Sequence, residues 1–266
     1  MSSQQPLRRR TVREIVKAKG RQPLVMLTAY DAVMAQLLEE SGVDMLLVGD
    51  SLGNVVLGHE TTLPVTMTDM LRHTAAVVRG TRQALIVADM PFLSYQVSAD
   101  EALRHAGALM AEAGAGAVKL EGGAELAPTV NRLVSAGIPV MGHIGLQPQS
   151  VNVTGYASRG KTDADAERLQ DDALALAAAG CFALVLECVV PAVAARISQA
   201  LTIPTIGIGS GEACDGQVLV INDLIGLSVR TPPSFVTPRA DVASLIRQTV
   251  AGYVHDVKAS LTAVGS

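Results

Sequence analysis

Six ionisable residues of this chain each stand at or just beyond a short apolar run: Asp50, Asp89, Lys119, Glu121, His143 and Glu187. A charge in such a place is costly unless it has a partner. Their recurrence points to one shared rim rather than to six unrelated surface positions. Asp50, Asp89 and Glu121 are hard oxygen donors, the type that suits Mg²⁺ with retained waters. Helix or turn capping is the alternative use of Asp50 and Asp89. Ser51, with Gly53 close behind, permits a tight turn whose backbone amides face an anion. It serves equally well as a local cap.

Lys119 and Glu121 are two apart in a predicted strand, so they share one face while Leu120 takes the other. Either they form an ion pair, or Lys119 meets a substrate carboxylate or carbonyl. His143 either donates to substrate or hydrogen-bonds across the rim. Glu187 ends the run 182–186, where an apolar neighbourhood raises a carboxyl pKa and suits it to proton transfer near neutrality. A supporting salt bridge is its alternative role. Cys181, Cys188 and Cys214 read as small buried side chains with no activating base beside them. His59 and His73 read as surface residues. The glycines of 207–211 permit either an anion cradle or simply a tight turn. The long polar segment 145–160 resembles a lid or a cofactor-facing loop.

Something must bring these residues together. Amphipathic stretches ending at glycine alternate with short apolar runs along the chain. A first strand is read at Leu24–Thr28, with six more runs at 45–48, 85–88, 117–120, 138–141, 182–186 and 203–208. An eighth is read near Phe235-Val236. The runs do not alternate polar with apolar, as befits strands covered on both faces. Glycine after each helix supplies the left-handed cap. The expected fold class is α/β, a (β/α)8 TIM barrel, with its chemistry at the C-terminal strand ends. An open doubly wound sheet is the alternative, but no GxGxxG follows the first strand. Thr11 and Glu14 form a capping-box pattern, which predicts an additional N-terminal helix. No composition break divides the chain, so 1–266 is expected to be one barrel domain. Residues 1–10 are expected to be a flexible arm with Arg8, Arg9 and Arg10 solvated, and 258–266 a frayed tail.

Composition excludes several function classes. Net charge is −4, from 21 basic and 25 acidic residues, which is no general nucleic-acid footprint. Aromatics are 3% of the chain, too few for base-stacking platforms. Three cysteines without a CxxC pair suit a reducing compartment. No apolar stretch approaches the roughly 20 residues of a membrane helix. The basic N-terminus has no apolar core behind it, so no secretory signal is expected. These features predict a soluble cytoplasmic protein that binds neither nucleic acid nor membrane.

Longer motifs add a resemblance. Val48-Gly49-Asp50-Ser51-Leu52-Gly53, Leu63-Pro64-Val65-Thr66, Val87-Ala88-Asp89-Met90-Pro91-Phe92 and Val118-Lys119-Leu120-Glu121-Gly122-Gly123 resemble segments of the ketopantoate hydroxymethyltransferase family. So do Gly142-His143-Ile144-Gly145-Leu146, Pro148-Gln149-Ser150, Leu186-Glu187-Cys188 and Asp215-Gly216-Gln217-Val218-Leu219. The resemblance runs from about Thr11 to Tyr253.

It implies a barrel of the phosphoenolpyruvate mutase and isocitrate lyase type. The implied activity is transfer of a hydroxymethyl group from 5,10-methylenetetrahydrofolate to 3-methyl-2-oxobutanoate. The products would be ketopantoate and tetrahydrofolate, formed through a Mg²⁺-stabilised enolate at the first step toward pantothenate and coenzyme A. Carried over by motif, Asp50 and Asp89 bind Mg²⁺ with Glu121 in its immediate environment, Ser51 and Lys119 hold the oxo acid with His143 nearby, and Glu187 is the base. A homodecamer, a dimer of pentamers, is implied as well. This chain departs from the pattern at Asn222, where histidine is expected, and at Thr154, where a second glycine is usual. The segment 234–239 is also less basic than the pattern. A carbon–carbon lyase or mutase of the same superfamily, and a non-catalytic metabolite binder, are the competing functions. The lyase reading lacks the nucleophilic cysteine motif it would need after the third strand.

Overall fold

Eight short parallel strands close on one another in chain order. They are β1 (Leu24–Thr28), β2 (Met45–Val48), β3 (Leu85–Asp89) and β4 (Ala117–Glu121). The second half comprises β5 (Val140–Gly145), β6 (Ala183–Glu187), β7 (Thr205–Ile208) and β8 (Gly216–Leu219). The ring shuts where β8 pairs with β1, Leu24 opposite Gly216 and Met26 opposite Val218. The computed structural model describes residues 8–229 and 231–263. They form two compact units. The first, ending at Leu219, holds the barrel; the second, beginning at Val220, holds helices Ile221–Leu224 and Val242–Ala263.

The expected barrel and its N-terminal helix are both present. Helix Val12–Ala18 starts as its capping pattern predicts, with the Glu14 carboxylate accepting from the Thr11 N–H and hydroxyl, each at 2.8 Å. Its Ile15 and Ala18 are buried against Leu24, Met45, Leu85 and Phe182 at the N-terminal end of the barrel. The inward positions of the lower strands are apolar: Leu24 and Met26, Met45 and Leu47, Leu85 and Val87, Ala183 and Val185. Period-two geometry carries the same faces upward to Asp89, Lys119, Glu121, His143 and Glu187. One end of the interior is therefore a packed hydrocarbon floor, and the other is a ring of charge.

Three expectations need correction. The eighth strand is not near Phe235-Val236, where Phe235 lies in a turn; it is Gly216–Leu219. Its apolar signal is weak because a glycine and a glutamine fill half of it. Gly216 has a physical reason: a Cβ there would come within 2.5 Å of the Leu24 carbonyl oxygen across the closing seam. The N-terminal arginines are not all solvated. Arg8 is exposed beside Glu14, but Arg9 donates to the Ala84 and Thr81 carbonyls at 2.9 Å each, and Arg10 pairs with Asp44 at 2.6 Å. Met1–Leu7 lie outside the described residues. The tail expected to fray from 258 is helical as far as Ala263, with 264–266 outside the described residues.

Of the glycines of 207–211, Gly207 lies in β7, and Gly209 and Gly211 belong to the return from β7 to β8, which carries no helix. Ser210 there is buried; its hydroxyl donates to the Leu186 carbonyl at 2.7 Å and accepts from Val189 N–H at 2.9 Å. The turn is pinned to the end of β6 through that hydroxyl. Asp215 anchors its far end, accepting from the Thr205 N–H at 2.8 Å and from Lys19 Nζ at 2.7 Å. No helix among the described residues is long and apolar enough to cross a membrane.

Asp215 thus ties the N-terminal helix to the last two strands. Asp215→Ala leaves the Thr205 N–H without its acceptor and Lys19 Nζ with only the Ser198 carbonyl, and is expected to cost about 1–3 kcal/mol of stability. Urea unfolding followed by circular dichroism measures this; a loss below about 0.5 kcal/mol would show the tie to be dispensable.

Candidate functional site

The charged rim forms from four neighbouring strands and the turn after β2. Strand register sets Asp89 beside Lys119, Glu121 beside His143, and Gly145 beside Glu187. Gly145 is required on two counts: φ is +99°, and a Cβ would run into the Glu187 carbonyl oxygen. Of the residues singled out in the sequence, Asp50, Asp89, Lys119, Glu121, His143 and Glu187 join one network.

Lys119 lies at its centre. Its Nζ is 2.8 Å from Asp89 Oδ1, 3.2 Å from His143 Nδ1 and 3.7 Å from Glu121 Oε1. Burial alone would discharge this lysine; Asp89, Glu121 and Asp50 outweigh it and hold the ammonium above its ordinary range. Lysine can only donate, so His143 Nδ1 accepts and the ring proton sits on Nε2. That Nε2 points toward Glu187 Oε2, 3.3 Å away. Burial and the Lys119 charge pull the imidazole pKa down to about 4, so His143 is neutral at pH 7.

The carboxylates are held one oxygen at a time. Asp89 Oδ2 accepts from the Asp50 N–H at 3.0 Å, which fulfils part of the turn-capping role. Asp50 Oδ2 accepts from Gln149 Nε2 at 2.9 Å, and Glu121 Oε2 from the Gln149 N–H at 3.1 Å. Burial raises the Asp50 and Glu121 carboxyls, and it pushes Glu187 up to about 7 despite the Lys119 charge. Ser51 makes no side-chain capping bond; its Oγ lies 2.8 Å from the Tyr30 hydroxyl. His73, expected at the surface, is half-buried with Nδ1 at 2.6 Å from the Tyr30 carbonyl.

Cys188 follows Glu187 with φ +49°, a left-handed turn that costs a non-glycine residue about 1–2 kcal/mol. Burial pushes its thiol up to about 11, and that of Cys181 up to about 12, so neither is an activated nucleophile. Sequence reasoning missed the roles of Gln149 and Tyr95. Tyr95 is buried, and its hydroxyl reaches Gln149 Oε1 at 2.8 Å and the Glu121 carbonyl at 3.0 Å. The Pro148-Gln149-Ser150 motif marked the segment but not the bonds it makes.

The arrangement suits a divalent cation by charge. Four carboxylates, Asp50, Asp89, Glu121 and Glu187, face one lysine and a neutral imidazole. Asp89 Oδ1 and His143 Nε2 are buried without an aligned hydrogen bond, although each has the charged neighbour already described. No three His, Cys, Asp or Glu side chains among the described residues already surround a common point. Mg²⁺ does not demand that, because it takes one or two carboxylates and keeps its remaining positions for water and substrate. Asp50 and Asp89 would hold it, with Glu121 beside them.

Comparison with known proteins gives a consistent family. The family model described as ketopantoate hydroxymethyltransferase matches residues 9–261. A 3-methyl-2-oxobutanoate hydroxymethyltransferase of Syntrophus aciditrophicus (strain SB) is 55% identical, over 97% of this chain and 96% of its own. One from Carboxydothermus hydrogenoformans is 57% identical, over 89% of this chain and 86% of its own. The fold is similar to that of a phosphoenolpyruvate phosphomutase from Streptomyces platensis subsp. rosaceus. That likeness has a TM-score of 0.66 at 17% identity, over 93% of this chain and 88% of that one. A structure of 2,3-dimethylmalate lyase, a PEP mutase/isocitrate lyase superfamily member, shares it with a TM-score of 0.56 at 15% identity, over 78% of this chain and 80% of that one.

The charge imbalance has a thermodynamic signature. Asp50, Glu121 and Glu187 have raised carboxyl pKa values in the folded state, so their contribution to stability is fully present below the ordinary carboxylate range and is lost as pH rises through about 7, outweighing the single opposing contribution of His143, whose pKa is depressed. In EDTA, the melting temperature is expected to drop by several degrees between pH 5 and pH 8. Mg²⁺ should lessen the drop, and Glu187→Gln should remove part of it. A melting temperature that rises across this range in EDTA would contradict the assignment.

Proposed function

Because the chain belongs to the ketopantoate hydroxymethyltransferase family, we propose that this rim transfers a hydroxymethyl group from 5,10-methylenetetrahydrofolate to 3-methyl-2-oxobutanoate. The products are ketopantoate and tetrahydrofolate, at the first step toward pantothenate and coenzyme A. The observation that carries the reading is the set of buried carboxylates around Lys119, with Glu187 raised to about 7 at the edge. A base with that pKa is half ionised near neutrality and still strong enough to remove a proton next to a carbonyl.

Mg²⁺, bound by Asp50 and Asp89, would withdraw electron density from the 2-oxo acid and stabilise the charge left when the C3 proton departs. The chain's own residues do the rest. Lys119 offers a fixed positive charge to the substrate carboxylate, and Ser51 a hydroxyl. Glu187 takes the C3 proton. His143 Nε2 lies 3.3 Å from Glu187 Oε2, close enough to meet the carboxyl group after a small adjustment. The apolar interior below excludes water from the carbanionic carbon until the one-carbon donor arrives. The whole chain, 1–266, is proposed as one functional domain working in the cytoplasm, where both small-molecule substrates are dissolved.

The same proposal includes a homodecamer built as a dimer of pentamers. In helix Ala32–Glu40 the buried positions are Ala35 and Leu38, whereas Val33 is 71% exposed and Leu37 53% exposed. The apolar residues of this helix are thus half uncovered, which favours burial against another copy. Sedimentation is expected to show a species far above 27.6 kDa. A monomer at micromolar concentration would refute it.

Proton removal precedes carbon–carbon bond formation, so it runs without folate. With Mg²⁺ in D₂O, the enzyme is expected to exchange the C3 hydrogen of 3-methyl-2-oxobutanoate for deuterium. Glu187→Gln keeps size and polarity but removes the base, and should slow exchange by on the order of 10²-fold or more. The wild-type rate should rise with pH up to about 7, as Glu187 ionises, and then level off. EDTA should abolish exchange and added Mg²⁺ restore it. Exchange at the normal rate in Glu187→Gln would pass the role to His143.

A further inference from the structure

Gln149 lies in a short turn, Pro148–Ser150, directly after β5, and is only 5% exposed. All its polar atoms but one are engaged with the charged rim or its walls. Its N–H donates to Glu121 Oε2 at 3.1 Å. Its side-chain Nε2 donates to Asp50 Oδ2 at 2.9 Å and to the Met90 carbonyl at 3.0 Å. Its Oε1 accepts from the Tyr95 hydroxyl at 2.8 Å and from Gln96 Nε2 at 3.3 Å. A carboxylate and a carbonyl only accept, while a phenol and an amide nitrogen donate, so the side chain satisfies its neighbours in one orientation and not when flipped.

One oxygen of each of three rim carboxylates is committed to a neutral N–H: Asp89 Oδ2 to Asp50, Asp50 Oδ2 to Gln149, Glu121 Oε2 to Gln149. Two of these three donors belong to one residue. The opposite oxygens are thereby left for cations. Gln149 also fastens the near end of the segment 146–160, whose far end is held where Arg159 N–H donates to the Cys188 carbonyl at 2.9 Å and Val190 N–H to the Arg159 carbonyl at 2.9 Å. Between the two ties, Val153 is 90% exposed and Tyr156 68% exposed.

We infer that Gln149 is a positioning residue for the cation site, orienting Asp50 and Glu121 from the segment that follows β5, with Tyr95 fixing the orientation of its amide. This rests on the Mg²⁺ reading above. A carboxylate already turned to its working position loses less freedom when the ion arrives, and partners that orient ligands contribute strongly to metal affinity.

The test is a calorimetric Mg²⁺ titration of the full chain, stripped with EDTA and free of substrate. Gln149→Met preserves length and burial but removes the amide. It should weaken Mg²⁺ binding by on the order of 10- to 100-fold. Tyr95→Phe should weaken it less, and its effect should shrink in the Gln149→Met background, where only the hydroxyl's bonds to the Glu121 backbone remain. The Mg²⁺ concentration for half-maximal C3 exchange should rise in parallel, while the rate at saturating Mg²⁺ stays within about threefold. A purely structural role would lower the melting temperature without moving that midpoint. Mg²⁺ affinity within about twofold of wild type in folded Gln149→Met overturns the inference. If that variant does not fold, unchanged affinity in Tyr95→Phe overturns it and weakened affinity supports it. A wild-type chain that binds no Mg²⁺ overturns this inference together with the metal reading. A wild-type chain that binds Mg²⁺ without exchanging hydrogen defeats only the proposed reaction, and the affinity comparison still decides the role of Gln149.

Discussion

The top of this barrel gathers four carboxyl groups around a single ammonium, in a space that excludes most water. Ionised carboxylates lose several kcal/mol of hydration when buried, and one lysine cannot compensate four of them. Protons are taken up instead as burial lifts Asp50, Glu121 and Glu187, whereas His143 stays uncharged because burial and the Lys119 charge oppose its protonation. Lys119 escapes the usual fate of a buried amine because acids surround it. The site is therefore unbalanced in charge, and that imbalance makes it receptive to a cation and to proton chemistry near neutrality.

The frame exists to hold that imbalance in place. On β3, β4, β5 and β6 the same inward face is apolar at the bottom and charged at the top. A shift of one residue in any of these strands would send its charge outward among the helices. The register is protected from below. The helix Val12–Ala18 packs into the floor, Lys19 ties it to Asp215, and Arg9 ties the preceding segment to the carbonyls of Thr81 and Ala84. Rigidity at the bottom fixes geometry at the top.

Much of this was legible in the sequence because it rests on local pattern. A charge ending an apolar run identified Asp89, Glu121 and Glu187, and the two-residue spacing put Lys119 and Glu121 on one face. The capping pair Thr11 and Glu14 foretold the extra helix. Other features depend on distant partners and left no local trace. The strand at Gly216–Leu219 was hidden because close approach to Leu24 demands a glycine where an apolar side chain would have signalled it. Arg9 and Arg10 read as solvated because the carbonyls and carboxylate they meet lie far along the chain. Gln149 belongs to a residue type with no pattern of its own; its importance comes from what β2, β3 and β4 bring to it. The helical period of an amphipathic stretch marks a face, but it does not say what covers that face: in helix Ala32–Glu40, Val33 and Leu37 are exposed.

The seam between β1 and β8 has a consequence for the chain as it is made. Leu24 and Gly216 are partners separated by about 190 residues. At roughly 5–20 residues per second, translation leaves the outer edge of β1 unpaired for on the order of ten to forty seconds before its neighbour emerges. During that interval the nascent chain carries an open strand edge, the kind that pairs with other polypeptides. Lys19 waits equally long for Asp215. Ring closure is thus the last act of synthesis for this unit, and the early half of the protein must be kept from strangers until the late half arrives.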